Sequence, residues 1–542
     1  MPATADITTA SPGEPFAWDV PETFNFGADV VDRHAADPAL TALLWSDAAG
    51  REERYSYADM ARLTNRFANA LAARGIVKGD RVLVMLPRIP QWQIALVGCL
   101  KLGAVPIPCI EMLTERDVAY RLAHSGARAV VTTAASAPKF AAIADMPALR
   151  VAVGDPPAGW TGWAAAMAEA SDDFTPAVVR AEDPAILFYT SGSTGHPKGV
   201  THAARALYAW RVSAEHWHGL QRGDVMWCTA DTGWSKAGTS ILFGPWSRGA
   251  AVVFHDGPFD PRARFERMAR HRVNVFCAAA TEFRRLVQED VSGFDLSALR
   301  QAISAGESVN PAVVKRWTAL TGVPLREAYG QTETLMTVLT MAADEPRLGS
   351  MGRASPGTDI AVIDEEGRRL PPDTPGLLAV RLPNPQVMLG YWKDPERTAD
   401  SRLEGPDCTW FLTGDRATLD ADGYFHYLGR NDDLINSAGY RIGPLEVENA
   451  LIEHPAVQEV AAVPSPDEER GEVVKAFVVL RAGLSGSPEL VKELQDFVKG
   501  LTAPYKYPRR IEFVDELPKN ASGKILRREL KAREFAAHGA VP

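Results

Sequence analysis

Short apolar segments alternate with amphipathic stretches along the larger, N-terminal part of this sequence. Residues 82–86 and 129–131 are short, bounded apolar runs that are typical of buried strands. Between such runs, apolar residues recur three or four positions apart, as at Met60, Leu63 and Phe67, which is the spacing of an amphipathic helix. Alternating strands and helices pack as a largely parallel sheet covered by helices. The sequence therefore predicts an α/β fold for this part of the chain.

The pattern changes twice towards the C-terminus. Apolar runs at 360–363 and 377–380, separated by turns rich in Pro and Gly, predict a small β-rich subdomain. The polar, turn-like residues 429–433 then mark a boundary before a segment of about a hundred residues, which is a typical domain size. We expect an N-terminal domain at 1–430, built of α/β sheets with the β-rich subdomain, and a small, mobile α+β C-terminal domain at 431–542.

Length, charge and cysteine content argue against several kinds of protein. A chain of 542 residues is too long for one hydrophobic core, which agrees with a division into domains. The net charge is −10 and the sequence has no basic block, so nucleic acid is not an expected partner. The five cysteines are scattered without the spacing of a metal site, which favours a reducing compartment and no disulfide framework.

The N-terminal residues and the apolar runs bear on location. Residues 1–15 are small and polar, and they resemble neither a signal peptide nor a transit peptide. No apolar run is long enough to cross a bilayer, so we expect no membrane span. Together these features predict a cytoplasmic protein.

A long loop of small residues is the first candidate for chemistry. It reads YTSGSTGHPKGV at residues 189–200 and follows the apolar run 185–188, a predicted strand. Glycines permit the close approach of a ligand, and successive backbone N–H groups and hydroxyls bind one anion. Lys198 adds a mobile positive charge. Although the GxxxxGK[ST] spacing of the common phosphate-binding loop is absent, this composition predicts a polyphosphate site.

This loop resembles the phosphate loop of the adenylate-forming superfamily, which includes acyl-CoA synthetases, adenylation domains and beetle luciferases. The resemblance extends from about residue 55 to residue 528 and implies the two-domain α/β fold of that family. The other stretches that carry it, in the order expected for the family, are SAGES at 304–308, REAYGQTE at 326–333, FLTGD at 411–415, GRNDDLINSAGYRIGP at 429–444 and PKNASGK at 518–524.

The resemblance implies a site for ATP and Mg²⁺. In the family, the equivalents of Tyr329, Thr332 and Glu333 stack on adenine, contact phosphate and bind Mg²⁺, and an aromatic face and hard oxygen ligands suit those tasks. Asp415 corresponds to the carboxylate that accepts both ribose hydroxyls. The ATP-binding residues implied are Thr190, Ser191, Gly192, Ser193, Thr194, Gly195, Lys198, Gly306, Glu307, Ser308, Glu327, Ala328, Tyr329, Gly330, Gln331, Thr332, Asp415, Arg430 and Arg441.

Catalysis is expected to depend on Lys524, with Lys198 and Thr194 acting at the phosphates. Making an acyl-adenylate brings together two anions, a carboxylate and a triphosphate, and a lysine between them neutralises charge as pyrophosphate leaves. Lys524 corresponds to the C-terminal catalytic lysine of the family, and Asp432 to its hinge residue. The resemblance implies that the small domain turns about this hinge between two half-reactions.

The acyl and CoA sites are implied by a resemblance to the medium-chain acyl-CoA synthetases, carried by TADTGW at 229–234 and APYKYPR at 503–509. Acetate-specific relatives carry Trp where this chain has Gly330, so we expect a larger acyl group to fit. Trp234 is expected to line the pocket and limit its depth. The CoA-binding residues implied are Ala438, Gly439, Tyr440, Arg470, Lys499, Tyr507 and Arg509.

The sequence thus predicts an AMP-forming acid–CoA ligase that uses ATP, Mg²⁺ and CoA to activate a medium-chain or aryl carboxylic acid. Two alternatives stay open from the residues: a stand-alone adenylation enzyme that loads a carrier protein, and a nucleotide-binding protein that no longer catalyses. Lys524 also resembles the site at which relatives are switched off by acetylation, so a lysine acetyltransferase is a candidate partner. The identity of the acid and the oligomeric state are left open.

Overall fold

A computed structural model describes residues 16–190, 196–433, 435–437, 440–503, 505–519 and 525–539. The strands within these residues, in chain order, are β1 (Thr41–Asp47), β2 (Glu52–Ser56), β3 (Arg81–Met85), β4 (Val105–Cys109), β5 (Ala129–Thr133), β6 (Leu149–Val153), β7 (Thr161–Gly162), β8 (Pro184–Thr190), β9 (Lys198–Ala203), β10 (Val225–Cys228), β11 (Ala251–Asp256), β12 (Val275–Cys277), β13 (Gln301–Ala305), β14 (Leu325–Gln331), β15 (Leu335–Leu339), β16 (Arg353–Ala354), β17 (Ile360–Ile363), β18 (Gly376–Arg381), β19 (Gly390–Tyr391), β20 (Arg402–Glu404), β21 (Thr409–Leu419), β22 (Phe425–Arg430), β23 (Ile435–Ser437), β24 (Tyr440–Ile442), β25 (Val457–Asp467), β26 (Gly471–Leu480) and β27 (Arg510–Phe513).

Helices connect and cover these strands. Short π-helical turns lie at Gly27–Asp32 and Gly238–Leu242, and 3-10 turns lie at Ala137–Phe140 and Asn431–Asp433. The α-helices are α1 (Tyr57–Ala72), α2 (Pro90–Leu102), α3 (Glu115–Ser125), α4 (Trp163–Ala168), α5 (Ala204–His216), α6 (Ser235–Ala237), α7 (Phe243–Ser247), α8 (Pro261–Arg270), α9 (Ala280–Leu286), α10 (Pro311–Thr321), α11 (Pro395–Asp400), α12 (Pro444–Ile452), α13 (Pro488–Leu501) and α14 (Arg527–Ala537).

Two largely parallel sheets form the framework of the N-terminal part. The larger has the order β16-β15-β14-β13-β12-β10-β11-β1-β2, with parallel pairs from β14 to β1 and antiparallel pairs at both edges. The smaller has the order β4-β3-β5-β6-β7 and is parallel throughout. Buried strands of both sheets, covered by helices, make up the core. The α/β fold predicted from the alternating pattern is confirmed.

The β-rich subdomain follows as an antiparallel sheet with the order β17-β18-β21-β20, in which β22 also pairs with β21. A separate antiparallel sheet joins β8, β9 and β19. It brings the two strands that flank the Gly-rich loop against a segment from the β-rich part of the chain.

The C-terminal strands form a sheet of their own, with the order β24-β23-β26-β25 and with β27 on β26. Helices α12 and α13 pack on it around a core that includes Ile435, Leu451 and Leu494. The boundary predicted at residue 430 coincides with the end of β22, before the strands of this last sheet begin. The division into domains at 1–430 and 431–542 stays a prediction.

The candidate site lies where several strands end. Strands β12, β13 and β14 are neighbours in the large sheet and run parallel, so their carboxyl ends meet at one edge. Ligands bind outside this edge in open α/β sheets. The motifs at 304–308 and 326–333 follow or form these strand ends. Among the described residues, no helix is long and apolar enough to span a membrane, and all five cysteines are free thiols.

Candidate active site

Asp415, in β21, accepts hydrogen bonds from three side chains. Its Oδ2 accepts from the hydroxyl of Tyr329 at 2.5 Å and from Nε2 of Gln331 at 2.6 Å. Its Oδ1 accepts from the hydroxyl of Tyr427 at 3.0 Å, and Nε of Arg430 lies 3.6 Å from the same oxygen. Strand β14 and the paired strands β21 and β22 thus bring two motifs that are distant in sequence to one carboxylate.

Burial controls the electrostatics of this carboxylate. The side chain of Asp415 is only 3% exposed, and burial raises its pKa, while Arg430 and the three hydrogen-bond donors act in the opposite direction. Burial and the nearby Asp415 hold the pKa values of Tyr329 and Tyr427 well above their ordinary range, so both hydroxyls stay protonated and donate. The result is a preorganised acceptor of the kind that suits sugar hydroxyls.

Lys198, Glu333 and Tyr391 form a second polar cluster. The hydroxyl of Tyr391 donates to Oε1 of Glu333 at 2.9 Å, and Nζ of Lys198 lies 3.3 Å from that hydroxyl and 3.7 Å from Oε1 of Glu333. Burial lowers the pKa of Lys198, and the charge of Glu333 opposes this shift. Lys198 begins β9 directly after the Gly-rich loop, so the cation predicted for polyphosphate lies beside the carboxylate predicted for Mg²⁺.

Two side chains that the sequence did not single out hold Thr332. Nε2 of His202 donates to the carbonyl oxygen of Thr332 at 2.6 Å, and Oγ of Ser235 lies 3.0 Å from Oγ1 of Thr332. Burial lowers the pKa of His202 to about 4, so its ring is neutral and carries the proton on Nε2. His202 therefore fixes the backbone between Gln331 and Glu333, which link the two clusters.

Glu307 and Glu327 stabilise the loop that follows β13. Oε1 of Glu307 accepts the backbone N–H of Thr281 at 3.2 Å, and Oε1 of Glu327 accepts that of Val309 at 2.7 Å. The loop turns at Gly306, where φ is +97° and a side chain would be strained. Burial raises the pKa of Glu327 to about 7. Both carboxylates thus shape the segment that the sequence assigned to the nucleotide.

The raised pKa of Glu327 makes stability depend on pH. Between its ordinary value of 4.5 and the folded value of about 7, the folded chain binds more protons than the unfolded chain, so this group lowers stability as pH rises through that window. Glu327→Gln removes the loss. We expect the stability of this variant relative to the parent protein to increase from about pH 5 to about pH 7.5, by at most about 3 kcal/mol.

Thermal unfolding of ligand-free protein across this pH range measures the effect. The substitution Glu266→Gln, at an exposed carboxylate of α8, is the matched control and should give no such trend. A difference between Glu327→Gln and the parent protein that is the same at every pH would contradict the prediction.

Trp234 lies between β10 and α6, beside the carboxyl ends of the parallel strands. The ammonium group of Lys236, two residues on, donates to the carbonyl oxygens of Ala278 and Ala305 at 3.3 and 3.1 Å. These carbonyls follow β12 and end β13, so Lys236 ties the segment that carries Trp234 to the site. The predicted contact of Trp234 with an acyl group stays a prediction.

Close packing of β15 on β14 requires Gly330. An added Cβ would overlap the backbone oxygen of Leu335 and lie 2.8 Å from Cα of Met336, at the point where the pairing of the two strands shifts register. The space beside this glycine is therefore occupied by the neighbouring strand. That Gly330 also leaves room for a large acyl group stays a prediction.

Three of the residues predicted for CoA form a basic and aromatic cluster. The ammonium nitrogen of Lys499 lies 4.4 Å, and the guanidinium carbon of Arg509 lies 5.0 Å, from the centre of the Tyr507 ring. Cation–π contacts order these side chains, and paired basic groups suit nucleotide phosphates. Arg470 immediately precedes β26, and its backbone N–H donates to Asp467.

Other predicted residues lie outside the described part of the chain: Ser191, Gly192, Ser193, Thr194, Gly195, Ala438, Gly439 and Lys524. Only the backbone is described for Asp432, in the turn Asn431–Asp433, and for Tyr440 and Arg441, in β24. Thr190 ends β8, and its hydroxyl is buried with no hydrogen-bond partner among the described residues. A polar ligand at the base of the Gly-rich loop would satisfy such a hydroxyl.

The site combines a carboxylate that accepts hydroxyls with a lysine beside a Gly-rich loop, at the edge of a parallel sheet. These features define a nucleotide-binding α/β protein. The AMP-binding enzyme family matches residues 29–392, and its C-terminal domain matches residues 446–524. The chain belongs to the AMP-binding enzyme family. A relative from mouse, the mitochondrial acyl-coenzyme A synthetase ACSM3, is 41% identical over 96% of this chain and 92% of its own length.

Two solved structures share the fold over nearly the whole chain. An anthranilate–CoA ligase in complex with anthranoyl-AMP superposes with a TM-score of 0.87, at 29% identity, over 96% of this chain and 99% of its own. A benzoate–CoA ligase from Burkholderia xenovorans superposes with a TM-score of 0.82, at 30% identity, over 94% and 100%. These likenesses confirm the predicted fold and the predicted activity, ATP-dependent ligation of a carboxylic acid to CoA through an acyl-adenylate.

The comparison with curated relatives contradicts the predicted cytoplasmic location, which is wrong, because the mouse relative ACSM3 is a mitochondrial protein. The prediction relied on the composition of residues 1–15 and on the length of the apolar runs, while the scattered cysteines indicated a reducing compartment. A reducing, aqueous interior is common to the cytoplasm and to other compartments, so thiol content does not separate them.

Proposed function

We propose that this chain joins a medium-chain or aryl carboxylic acid to CoA, with ATP cleaved to AMP and pyrophosphate, and that the predicted residues carry the reaction. One observation carries the proposal. A carboxylate that accepts hydroxyls and a lysine suited to phosphates are linked by one short segment, since Gln331 contacts Asp415 and Glu333 contacts Lys198 through Tyr391. A hydroxyl-accepting group and a cation held on one segment suit the ribose and the phosphates of one nucleotide.

In the first half-reaction, a carboxylate oxygen of the acid attacks the α-phosphorus of ATP, and the bond to the β-phosphate breaks to release pyrophosphate. We assign Asp415 to the ribose hydroxyls and the ring of Tyr329 to adenine. Lys198 and the loop that contains Thr194 take the phosphates, and burial strengthens the attraction between Lys198 and phosphate charge. Lys524 is assigned to the space between the acid and the α-phosphate, where two negative charges approach.

Glu333 is the residue that would hold Mg²⁺. Its carboxylate is 12% exposed and is oriented by Tyr391 and Lys198. Magnesium ions at nucleotide sites commonly use one or two carboxylates together with phosphate oxygens, so a single, oriented carboxylate fits. Bound there, Mg²⁺ would neutralise phosphate charge.

In the second half-reaction, the thiolate of CoA attacks the acyl carbonyl carbon, and the bond from that carbon to the AMP oxygen breaks. We assign the change between the two steps to a turn of the domain at 431–542 about Asp432, which withdraws Lys524 from the site. The cluster of Lys499, Tyr507 and Arg509 supports this assignment, because it presents two cations and an aromatic face on that domain. The other residues assigned to CoA are Ala438, Gly439, Tyr440 and Arg470.

The proposed acids are larger than acetate. The two structural neighbours act on anthranilate and benzoate by their names, and we extend aryl acids to this chain. Medium-chain acids are proposed from the TADTGW and APYKYPR stretches. Trp234 is then the residue that limits the depth of the pocket.

The proposal is tested by measuring AMP release with CoA present, across acids from acetate to octanoate together with benzoate and anthranilate. We expect the highest kcat/KM for benzoate or for an acid between butyrate and octanoate, at least roughly tenfold above acetate, since one methylene in an apolar pocket is worth about 1–3 kcal/mol. Omission of CoA is the control for AMP release that needs no acceptor. AMP release only with a phosphopantetheinylated carrier protein, or none with any acid, would contradict the proposal.

A further inference from the structure

One face of helix α3 contacts both ends of the Gly-rich loop. Tyr120 and His124 are four residues apart on this helix, so their side chains lie on the same face. The ring of Tyr120 stacks between two imidazoles: that of His196 at 4.7 Å between centroids and 10° between planes, and that of His124 at 5.3 Å and 12°. His196 belongs to the loop sequence itself.

Hydrogen bonds connect the same face of α3 to both strands that flank the loop. The hydroxyl of Tyr120 donates to the carbonyl oxygen of Pro197 at 3.1 Å, one residue before β9 begins. Nδ1 of His124 lies 2.8 Å from the hydroxyl of Tyr189, the residue before the last one of β8. Tyr120 and His124 therefore contact the chain on entry to the loop and on exit from it.

These contacts continue to the phosphate cluster. The residue after Pro197 is Lys198, and the carbonyl oxygen of His124 accepts Nε1 of Trp392 at 3.2 Å. Trp392 follows Tyr391, the residue that hydrogen-bonds both Lys198 and Glu333. A continuous set of contacts thus extends from α3 to the ammonium group of Lys198.

Pairing of β8 with β9 does not depend on α3. The two strands pair directly, with Thr190 opposite Lys198 and Tyr189 opposite Gly199. Helix α3 lies between β4 and β5 in the chain, and those strands belong to a different sheet. His196 is exposed, so stacking it on Tyr120 buries little core surface. The stack orders the loop end more than it stabilises the hairpin.

We propose that Tyr120 is a positioning residue for ATP: by stacking on His196 and holding Pro197, it fixes the end of the Gly-rich loop and so places Lys198 against the phosphates. This inference rests on the proposed function in one respect, the contact of Lys198 with the triphosphate. Helix α3 lies outside all the sequence motifs, and the inference gives it a role in positioning ATP.

The test compares the affinity for ATP, measured by calorimetry, with acid-dependent ATP–pyrophosphate exchange and with thioester formation from supplied acyl-AMP. The variants are Tyr120→Leu, which loses the stack and the hydroxyl, Tyr120→Phe, which keeps the stack, and His196→Ala, which removes the partner at an exposed position. Glu115→Gln is the matched control, because Glu115 is exposed and lies five residues from Tyr120, on a different side of the same helix.

We expect Tyr120→Leu and His196→Ala each to raise the Kd and KM for ATP by roughly 3- to 10-fold, as loss of one aromatic stack implies. The KM for the acid and the rate from acyl-AMP should stay unchanged. The Kd for ATP of Tyr120→Phe should lie between those of the parent protein and Tyr120→Leu, and the double variant Tyr120→Leu/His196→Ala should bind ATP no more weakly than Tyr120→Leu alone. An unchanged Kd for ATP in His196→Ala and Tyr120→Leu, or an equal loss in all three assays, overturns the inference. Tight ATP binding without exchange in the parent protein would instead overturn the proposed function and leave the Kd comparison decisive for Tyr120.

Discussion

Replacing Asp415 with asparagine is expected to weaken ATP binding by roughly 100-fold, or about 3 kcal/mol. The substitution keeps the shape of the side chain but removes the negative charge that draws the donors Tyr329, Gln331 and Tyr427 to one point. A hydrogen bond to a charged group is worth about 1.5–3 kcal/mol, and ribose would lose its charged acceptor. Isothermal calorimetry with ATP measures the change.

Stability and a matched variant separate this loss from unfolding. Burial raises the pKa of Asp415, so the folded protein disfavours the charge, but in Asp415→Asn an NH2 group replaces one of the two oxygens that accept from Tyr329, Gln331 and Tyr427. Thermal melting of both proteins without ATP therefore shows whether the variant is folded before the affinities are compared. Asp420→Asn changes a carboxylate between the same two strands that pairs with Arg347 and His426 instead, and should bind ATP normally. ATP affinity retained in Asp415→Asn would remove the ribose role from this residue.

The clusters at Asp415 and Glu333 contain both predicted and unpredicted residues, and the division has a physical cause. Asp415, Glu333 and Lys198 lie in contiguous motifs, so the sequence alone identifies them. Tyr391 and Tyr427 reach the same clusters because β19 pairs with β9 and β22 pairs with β21. A pairing between distant strands leaves no local pattern, and a single tyrosine in a strand is as common in a core as in a site.

The fold shows the same limit. Apolar runs predicted β3 at 82–86 and β5 at 129–131, but such runs carry no information about strand order, in which β3 lies between β4 and β5. The requirement for Gly330 likewise comes from the backbone of β15, which approaches it only after the hairpin has formed. Local sequence therefore specifies elements and motifs, while contacts between elements determine which further side chains enter the site.

Lys524→Ala is expected to slow formation of the acyl-adenylate by roughly 100- to 1,000-fold, the range found when one group that stabilises transition-state charge is removed. The reason is that the attacking carboxylate and the triphosphate repel each other, and a lysine between them offsets this only in the first half-reaction. Thioester formation from supplied acyl-AMP and CoA should therefore proceed at the rate of the parent protein. Acid-dependent pyrophosphate exchange and CoA consumption from acyl-AMP measure the two steps separately.

Charge, rather than length, should decide the outcome at Lys524. Lys524→Gln, which has the neutral amide of an acetylated lysine, should match Lys524→Ala in both assays, and an acetyltransferase acting there would switch off only the first step. Lys519→Ala is the matched control, because Lys519 lies in the same segment but pairs with Glu459 at 2.8 Å. If Lys524→Ala slowed both steps equally, the residue would be holding the domain rather than neutralising charge, and acetylation would no longer select between the two half-reactions.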